Sequence, residues 1–385
     1  MLAPGLGHPG MLRRWAAVLR RSGEAARIAI VRTLAQTYDV ALLDLDGVIY
    51  VGSEPVDHAV SALASARAAG MRLAFVTNNA ARRPEAVAEQ LTGLGVVASA
   101  NEIVTSAQAA ARLLADLLPA GARVLVVGGD GLQAALVERG LTPVAGADDD
   151  PTAVVSGFHP DVGWRLLAEG AYAVAAGLPW VASNVDPTIP MPRGNAPGNG
   201  ALVHAIRLAT GREPIVAGKP EPPIHREAIL RTAARHPLVV GDRLDTDIAG
   251  AVRSGTDSLL VLTGVSGAAE LVAAPPASRP TFIARDLRAL MAEPDELAVA
   301  AGLQTRGRYT AAVEHGRVLV SSAGNVVRFR RNTTEHARPE DDIDLLRAVC
   351  GAVWAAADQG EQVVDVESTL AAAGWPLPVT SAGTY

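Results

Sequence analysis

An apolar run, Val40-Ala41-Leu42-Leu43, breaks off at Asp44-Leu45-Asp46-Gly47-Val48, and no other segment limits the possible folds of this chain so tightly. A short run of branched apolar residues with no polar alternation predicts a strand buried on both faces, the situation of a parallel sheet covered by helices. Such sheets bind ligands at the carboxyl ends of their strands. Asp44 and Asp46 stand two positions apart, so on a continued strand they share a face, where like charges repel unless a cation lies between them. A divalent metal is the expected third party. A solvated turn would use the same residue types, and the rest of the chain decides between the two.

The pattern recurs. Met71–Val76 reads as a strand ending in Thr77-Asn78-Asn79, where a hydroxyl and two amides can bind phosphate oxygens without adding charge, or cap the next helix. Pro237–Val240 reads as another strand, ending in Gly241-Asp242-Arg243-Leu244-Asp245-Thr246-Asp247. A second acidic cluster at a strand tip is hard to ascribe to turns. Between these segments the alternation of strand and helix starts afresh, with strands at Arg123–Val127, Thr152–Val155 and Trp180–Ala182, which predicts a second α/β unit inserted into the first. Gly128–Gly131 lacks dinucleotide-loop spacing and reads as a tight turn, and Arg193–Gly200 reads as a hinge or crossing loop before a helix from Ala201 to Ala209.

Gly211 to Pro220 approximates a P-loop, but its first glycine lies two residues too far away and Pro220 stands where Ser or Thr must bind magnesium. What remains is a short strand delivering Lys219 to a loop. Of 34 basic residues Lys219 is the only lysine, and a compact ammonium is not interchangeable with a guanidinium at a crowded site.

The net charge of −6 argues against a dedicated nucleic-acid binder. The single cysteine, Cys350, excludes an internal disulfide and a Cys-rich zinc site, and is expected as a small apolar residue on a helix. No apolar stretch is long enough for a membrane span, so no stable membrane insertion and a cytoplasmic setting are expected. Residues 1–37 form a basic extension whose apolar pieces are too short for a secretory segment; it reads as a frayed arm or a basic amphipathic helix. Beyond Glu293-Pro294-Asp295, strands at Tyr309–Val313, Arg317–Ser321 and Asn325–Arg330 and a helix from Asp341 to Ala357 predict a final small unit without a ligand cluster or nucleophile.

Together, Asp44-Leu45-Asp46-Gly47-Val48, Thr77-Asn78-Asn79, Gly218-Lys219-Pro220 and Gly241–Asp247 resemble, in order, the four motifs of the haloacid-dehalogenase-like hydrolases. The insertion, with Val155-Ser156-Gly157-Phe158 and Ala196-Pro197-Gly198-Asn199-Gly200, resembles the subclass IIA cap of the p-nitrophenylphosphatase, pyridoxal phosphatase and phosphoglycolate phosphatase group. The last unit is similar to the acetyltransferase-like extension of actinobacterial glycerol 3-phosphate phosphatases. The resemblance implies a Rossmann-like parallel-sheet α/β core at 38–119 and 213–295, a subclass IIA α/β cap at 120–212 and a small α+β domain at 300–385.

The resemblance also implies roles. Asp44 is the expected nucleophile, forming an aspartyl-phosphate, and Asp46 the acid and base. Mg2+ is expected on Asp44, the Asp46 carbonyl and Asp242, with Asp247 in support. Thr77, Asn78 and Asn79 are expected to cradle the phosphoryl group, Lys219 to pair with nucleophile and phosphate, and Asp245 to start a helix. Substrate choice is expected in the cap, at Gly157, Phe158, His159 and the loop Asn184–Ile189; His159 reads equally well as a surface histidine. Caps of this class pair subunits, so a homodimer through the cap is expected. The expected substrate is a small phosphorylated metabolite, first glycerol 3-phosphate, with 2-phosphoglycolate, pyridoxal phosphate and nucleoside monophosphates as alternatives. Ile189, where a pyridoxal phosphatase carries histidine, speaks against pyridoxal phosphate. A different class, acyl-CoA binding or regulation through the last unit, is weakened because Gln304–Tyr309 lacks a complete pyrophosphate-gripping loop.

Overall fold

The structure, a computed structural model, describes residues 32–191, 193–322, 325–326, 343–372 and 375. The expectations for residues 1–31, for the strand beyond Val326 and for the helix start at 341–342 lie outside the described residues.

From the N-terminal side, β1 (Val40–Leu43) leads through a small hairpin, β2 (Tyr50–Val51) and β3 (Glu54–Pro55), to a helix at Ala59–Ala68. Then come β4 (Arg72–Thr77), a helix at Pro84–Gly93, β5 (Ile103–Thr105) and a helix at Ser106–Leu117. The inserted unit contributes β6 (Arg123–Val127), β7 (Thr142–Val144), β8 (Ala153–Ser156), β9 (Trp180–Ala182), β10 (Thr188–Met191), β11 (Gly194–Pro197) and β12 (Ile215–Val216). Its helices are Asp130–Glu138, Trp164–Ala175 and Asn199–Thr210. The chain returns through a helix at Pro222–Thr232 to β13 (Pro237–Gly241), β14 (Asp257–Val261) and β15 (Phe282–Ala284). Last come β16 (Thr305–Arg306), β17 (Tyr309–Glu314), β18 (Arg317–Ser322), β19 (Asn325–Val326) and a helix at Ile343–Asp358, on which Cys350 is buried.

The core sheet is parallel throughout, in the order β15-β14-β13-β1-β4-β5. β1 is central, and its alternation is visible in the packing: Ala41 and Leu43 join one hydrophobic cluster, Val40 and Leu42 the other. Both faces are covered, so the apolar run needed no polar positions. Leu42, Leu43 and Phe75 are fully buried, each worth about 2 kcal/mol of transfer free energy.

The inserted sheet has the order β12-β9-β8-β6-β7. One of its faces, through Val124, Val126, Val155 and Val181, shares a cluster with Leu42, Val76 and Val239 of the core. The other is covered by Trp164–Ala175 and Asn199–Thr210.

Three expectations change. Leu34–Thr37, expected in the basic extension, is a short helix whose Leu34 and Ala35 are buried in a core cluster with Leu43 and Phe75. Ile215 and Val216 pair with Val181 and Ala182, so the strand before Lys219 completes the inserted sheet and the boundary expected at 212 falls one strand early. Arg193–Gly200 is no loop: Gly194–Pro197 pairs antiparallel with Thr188–Met191, because cross-strand hydrogen bonds satisfy a backbone that its Gly, Asn and Pro content marks as irregular.

The last unit packs its helix on β17 and joins a cluster with Leu260 and Ile283 of the core. Arg347 Nη2 donates to the Ile283 carbonyl at 2.6 Å, fastening the helix to the edge strand β15. Thr305–Arg306 and Tyr309–Glu314 pair antiparallel across Gly307-Arg308, so the segment nearest to a pyrophosphate loop is a hairpin turn and opens no helix. Among the described residues no helix is long and apolar enough to cross a membrane.

Candidate active site

Three adjacent strands bring the motifs to one edge. Leu43 pairs with Phe75 on one side and Val240 on the other, and the Asp44 amide donates to the Val240 carbonyl at 2.8 Å. Asp44 therefore stands level with Val76 and Gly241, with Thr77 and Asp242 one residue further along their strands. Gly47 turns the chain at φ +80°, a left-handed conformation open to glycine. A Cβ there would also collide with the Asp242 carboxylate, so the glycine of the first motif makes room for the acid of the fourth.

Lys219 is 4% exposed, and its Nζ donates to Asp44 Oδ1, to Asp247 Oδ1 at 2.8 Å and to the Val76 carbonyl at 3.3 Å. Burial alone would lower its pKa; Asp247 and Asp44 reverse this and hold the ammonium charged, above its ordinary range. The carboxylates are placed at a cost. Burial, aided by the charge of Asp247, pushes Asp44 up to about 8 against the pull of Lys219, and Asp242 up to about 6. One lysine does not satisfy three buried acids.

A divalent cation fits this deficit. Oxygen atoms of Asp44, Asp242 and Asp247 lie within 4.8 Å of one another. Asp242 Oδ2 accepts the Val265 amide at 2.7 Å, while its Oδ1 is buried without a hydrogen-bond partner. An all-oxygen donor set suits magnesium.

The Asp46 carboxylate lies outside that group of three. β1 stops at Leu43 and the chain turns at Gly47, so the shared face expected of a continued strand is not formed; Asp46 is exposed, 3.5 Å from Tyr50 Oη. The protein atoms around the carboxyl still strip enough water to raise its pKa, opposed by Lys219 and Arg82. No sequence signal distinguished Arg82 from the other arginines.

Thr77 is buried and its Oγ1 accepts the Asn79 amide at 3.1 Å; Asn79 Oδ1 accepts from Ala81 N at 2.9 Å and so shapes the turn before the helix at Pro84. The Asn78 side chain is spent on protein contacts, with Oδ1 accepting the Lys219 amide at 2.8 Å, which departs from the expectation that it cradles phosphate. Asp245 lies at the start of a helical turn, Leu244–Ile248, and is held by Arg243 at 2.7 Å. Of the cap candidates, Gly157 is buried so close to Ala80 of the core that a Cβ would crowd its side chain. His159 packs over Gly129 and its Nδ1 accepts the Asp161 amide at 3.3 Å; Phe158 is half-buried, and Ile189 pairs with Ala196 in the hairpin. No hydrogen bond or ion pair among the described residues joins these three side chains to Asp44, Asp46, Asp242 or Asp247.

Comparison with known proteins supplies the family. Residues 41–142 match the family model of haloacid dehalogenase-like hydrolases, residues 216–290 a HAD-hydrolase-like model, and residues 306–375 a GCN5-related N-acetyltransferase-like domain. The chain is 44% identical over 366 residues to D-glycerol 3-phosphate phosphatase of Mycobacterium tuberculosis, covering 92% of this chain and 100% of that protein. It is 36% identical to an acid sugar phosphatase of Staphylococcus saprophyticus, over 67% of this chain and 98% of the other. A crystal structure of the M. tuberculosis glycerol phosphate phosphatase in complex with magnesium superposes with a TM-score of 0.78 at 43% identity, covering 89% of this chain and 99% of that one. The p-nitrophenyl phosphatase from Archaeoglobus fulgidus superposes at 0.61 with 30% identity, over 66% and 98%. Family models on both halves of a core split by an insertion, and a relative matched along its whole length, establish that this chain belongs to the haloacid dehalogenase-like hydrolase family.

Proposed function

We propose that this chain is a magnesium-dependent phosphatase that hydrolyses glycerol 3-phosphate to glycerol and phosphate through an aspartyl-phosphate on Asp44. The observation that carries the chemistry is Lys219 bonded to Asp44 and Asp247 beside an Asp242 oxygen left without a partner. The substrate rests on the full-length likeness to the D-glycerol 3-phosphate phosphatase.

Asp44 attacks phosphorus in line while the bond from phosphorus to the glycerol oxygen breaks, and Asp46 gives its proton to the departing alkoxide. Its raised pKa favours the protonated form this step needs. Asp46 then takes a proton from water, whose oxygen attacks the phosphorus of the Asp44 acyl phosphate as the bond from phosphorus to the Asp44 oxygen breaks. Phosphate leaves and both carboxyl groups are restored. Lys219 and the Thr77 hydroxyl face charge that spreads over the phosphoryl oxygens. Asp44, Asp242 and the Asp46 carbonyl, with Asp247 in support, would hold magnesium, which would offset the negative charge of acids and phosphate. The reading includes a cytoplasmic setting and pairing of two subunits through the inserted unit, where Trp164 and Leu208 are about three-quarters exposed.

The test is phosphate release from glycerol 3-phosphate, 2-phosphoglycolate, pyridoxal phosphate and nucleoside monophosphates, with magnesium and with chelator, beside Asp44→Asn. Magnesium-dependent release favouring glycerol 3-phosphate, absent in Asp44→Asn, is expected. Even release across the panel would leave the chemistry and remove the substrate; none from any substrate would remove both.

A further inference from the structure

Asn78 follows the phosphate-facing threonine, yet its side chain is fully committed elsewhere. Oδ1 accepts the Lys219 amide at 2.8 Å and Nδ2 donates to the Lys219 carbonyl at 3.1 Å, so one side-chain amide holds the lysine main chain from both sides. The second hydrogen of Nδ2 goes to Asp186, 3.1 Å from Oδ2 and 3.3 Å from Oδ1. An ionised carboxylate only accepts and a backbone amide only donates, so Asp186 and Lys219 together dictate which way the Asn78 amide faces.

Asp186 belongs to the inserted unit, on the loop between β9 and β10, and that loop is tightly seated. Asn184 Nδ2 donates to the Asn78 carbonyl at 2.7 Å, its Oδ1 accepts the Asp186 amide at 3.1 Å, and Asn199 Nδ2 donates to the Asn184 carbonyl at 2.6 Å. A Cβ at Gly218 would stand 2.6 Å from Asn78 Oδ1 and 2.5 Å from the Ser183 carbonyl, so the residue before Lys219 is pressed between both partners. Gly198 and Gly200 lie against the Asp186 main chain with no room for a side chain. The carboxylate is thus delivered to Asn78 by the fold of the inserted unit.

We infer that Asp186 is a positioning residue: acting through Asn78, it sets the main chain of Lys219 and ties the ammonium between Asp44 and Asp247 to the seating of the inserted unit. This rests on the phosphatase reading and differs from the expectation that the loop Asn184–Ile189 reads the leaving group. A displaced ammonium weakens stabilisation of charge that appears in the transition state, so the loss falls on kcat and is the same for any leaving group.

The test compares kcat and KM on glycerol 3-phosphate and on p-nitrophenyl phosphate for the full-length wild type, Asp186→Ala, Asp186→Asn, Asn78→Ala and the double alanine variant. Asp186→Ala is expected to lower kcat by about 10-fold to 100-fold on both substrates, with KM within about twofold. Asp186→Asn, which keeps an acceptor oxygen, recovers most of the rate. The double variant falls no further than Asn78→Ala, as residues acting through one another require. A loss confined to glycerol 3-phosphate or to KM, additive losses in the double variant, or a lowered melting temperature with unchanged kcat would each overturn the inference. If Asp186→Ala does not fold, Asp186→Glu serves instead: its longer arm displaces Asn78, and unchanged kcat on both substrates overturns the inference equally. Wild type inactive on both substrates would overturn the phosphatase reading and this inference with it; active wild type with unaffected variants overturns this inference alone.

Discussion

Glu227 is fully buried, and its carboxylate accepts hydrogen bonds from Arg112, Arg231 and, at 2.6 Å, Arg139. Arg112 lies on the core helix Ser106–Leu117 and Arg231 on the helix of Glu227 itself, whereas Arg139 ends the inserted helix Asp130–Glu138. One carboxylate therefore binds the inserted unit to the core. Among the described residues, replacing it with leucine leaves the three guanidinium groups with one acidic partner, Glu138, which holds Arg231 at 2.7 Å. Breaking a fully buried ion pair costs about 3–5 kcal/mol. Here the arginine side chains keep 24%, 23% and 16% of their surface and can partly rehydrate, so about 2–3 kcal/mol is expected for Glu227→Leu. Glu227→Gln, which retains an acceptor, should cost about 1–2 kcal/mol. Acid gives the sharper signature. Burial alone would raise this pKa, but hydrogen bonds from Arg112 and Arg231 hold it below the ordinary glutamate range. A depressed carboxyl contributes stability that is complete above its unfolded value and disappears as pH falls through the folded one. Denaturant midpoints for wild type and Glu227→Gln should differ most at neutral pH and converge in acid. Equal midpoints at pH 7, or a gap that widens in acid, would refute the argument.

Lys219→Arg should lower kcat at least about 100-fold, because a planar fork cannot replace a compact ammonium enclosed by Asp44, Asp247 and the Val76 carbonyl; near-normal turnover in a phosphate-release assay would show that any cation suffices. Gly264→Ala places a Cβ onto the Asp242 carboxylate and should weaken magnesium activation by about 10-fold to 100-fold, read by magnesium titration of the rate; an unchanged half-saturation would dismiss the crowding. Magnesium should raise the melting temperature of chelated protein by offsetting repulsion among Asp44, Asp242 and Asp247, with about 2.7 kcal/mol gained at a hundredfold excess over Kd. Asp242→Asn should reduce that gain, and an equal gain in both proteins would exclude Asp242 as a ligand.

Much of the site was legible because its signals are local. An apolar run that ends in acids marks a covered strand and the carboxylates at its tip in the same few residues, and Asp44 and Asp242 do stand at the ends of β1 and β13, largely buried. The solitary lysine stood out against a background of arginine, and it lies on Asp44, which it was expected to join, and also on Asp247, which it was not. What stayed hidden depends on partners distant along the chain. Glu227 meets Arg112 across 115 positions, and nothing in the sequence near either residue announces the other. Ile215–Val216 carries too few residues to declare which sheet it completes. Asn78 offers the same amide whether it faces phosphate or Lys219, and the inserted unit decides by supplying Asp186.

The sequence by itself thus determined which residue types reach the strand tips, since burial and alternation are properties of neighbours. Only the tertiary structure decided which carboxylates lie within 4.8 Å of one another and which amide holds the lysine, because a hydrogen bond or ion pair is set by distance and direction between segments, not by order along the chain.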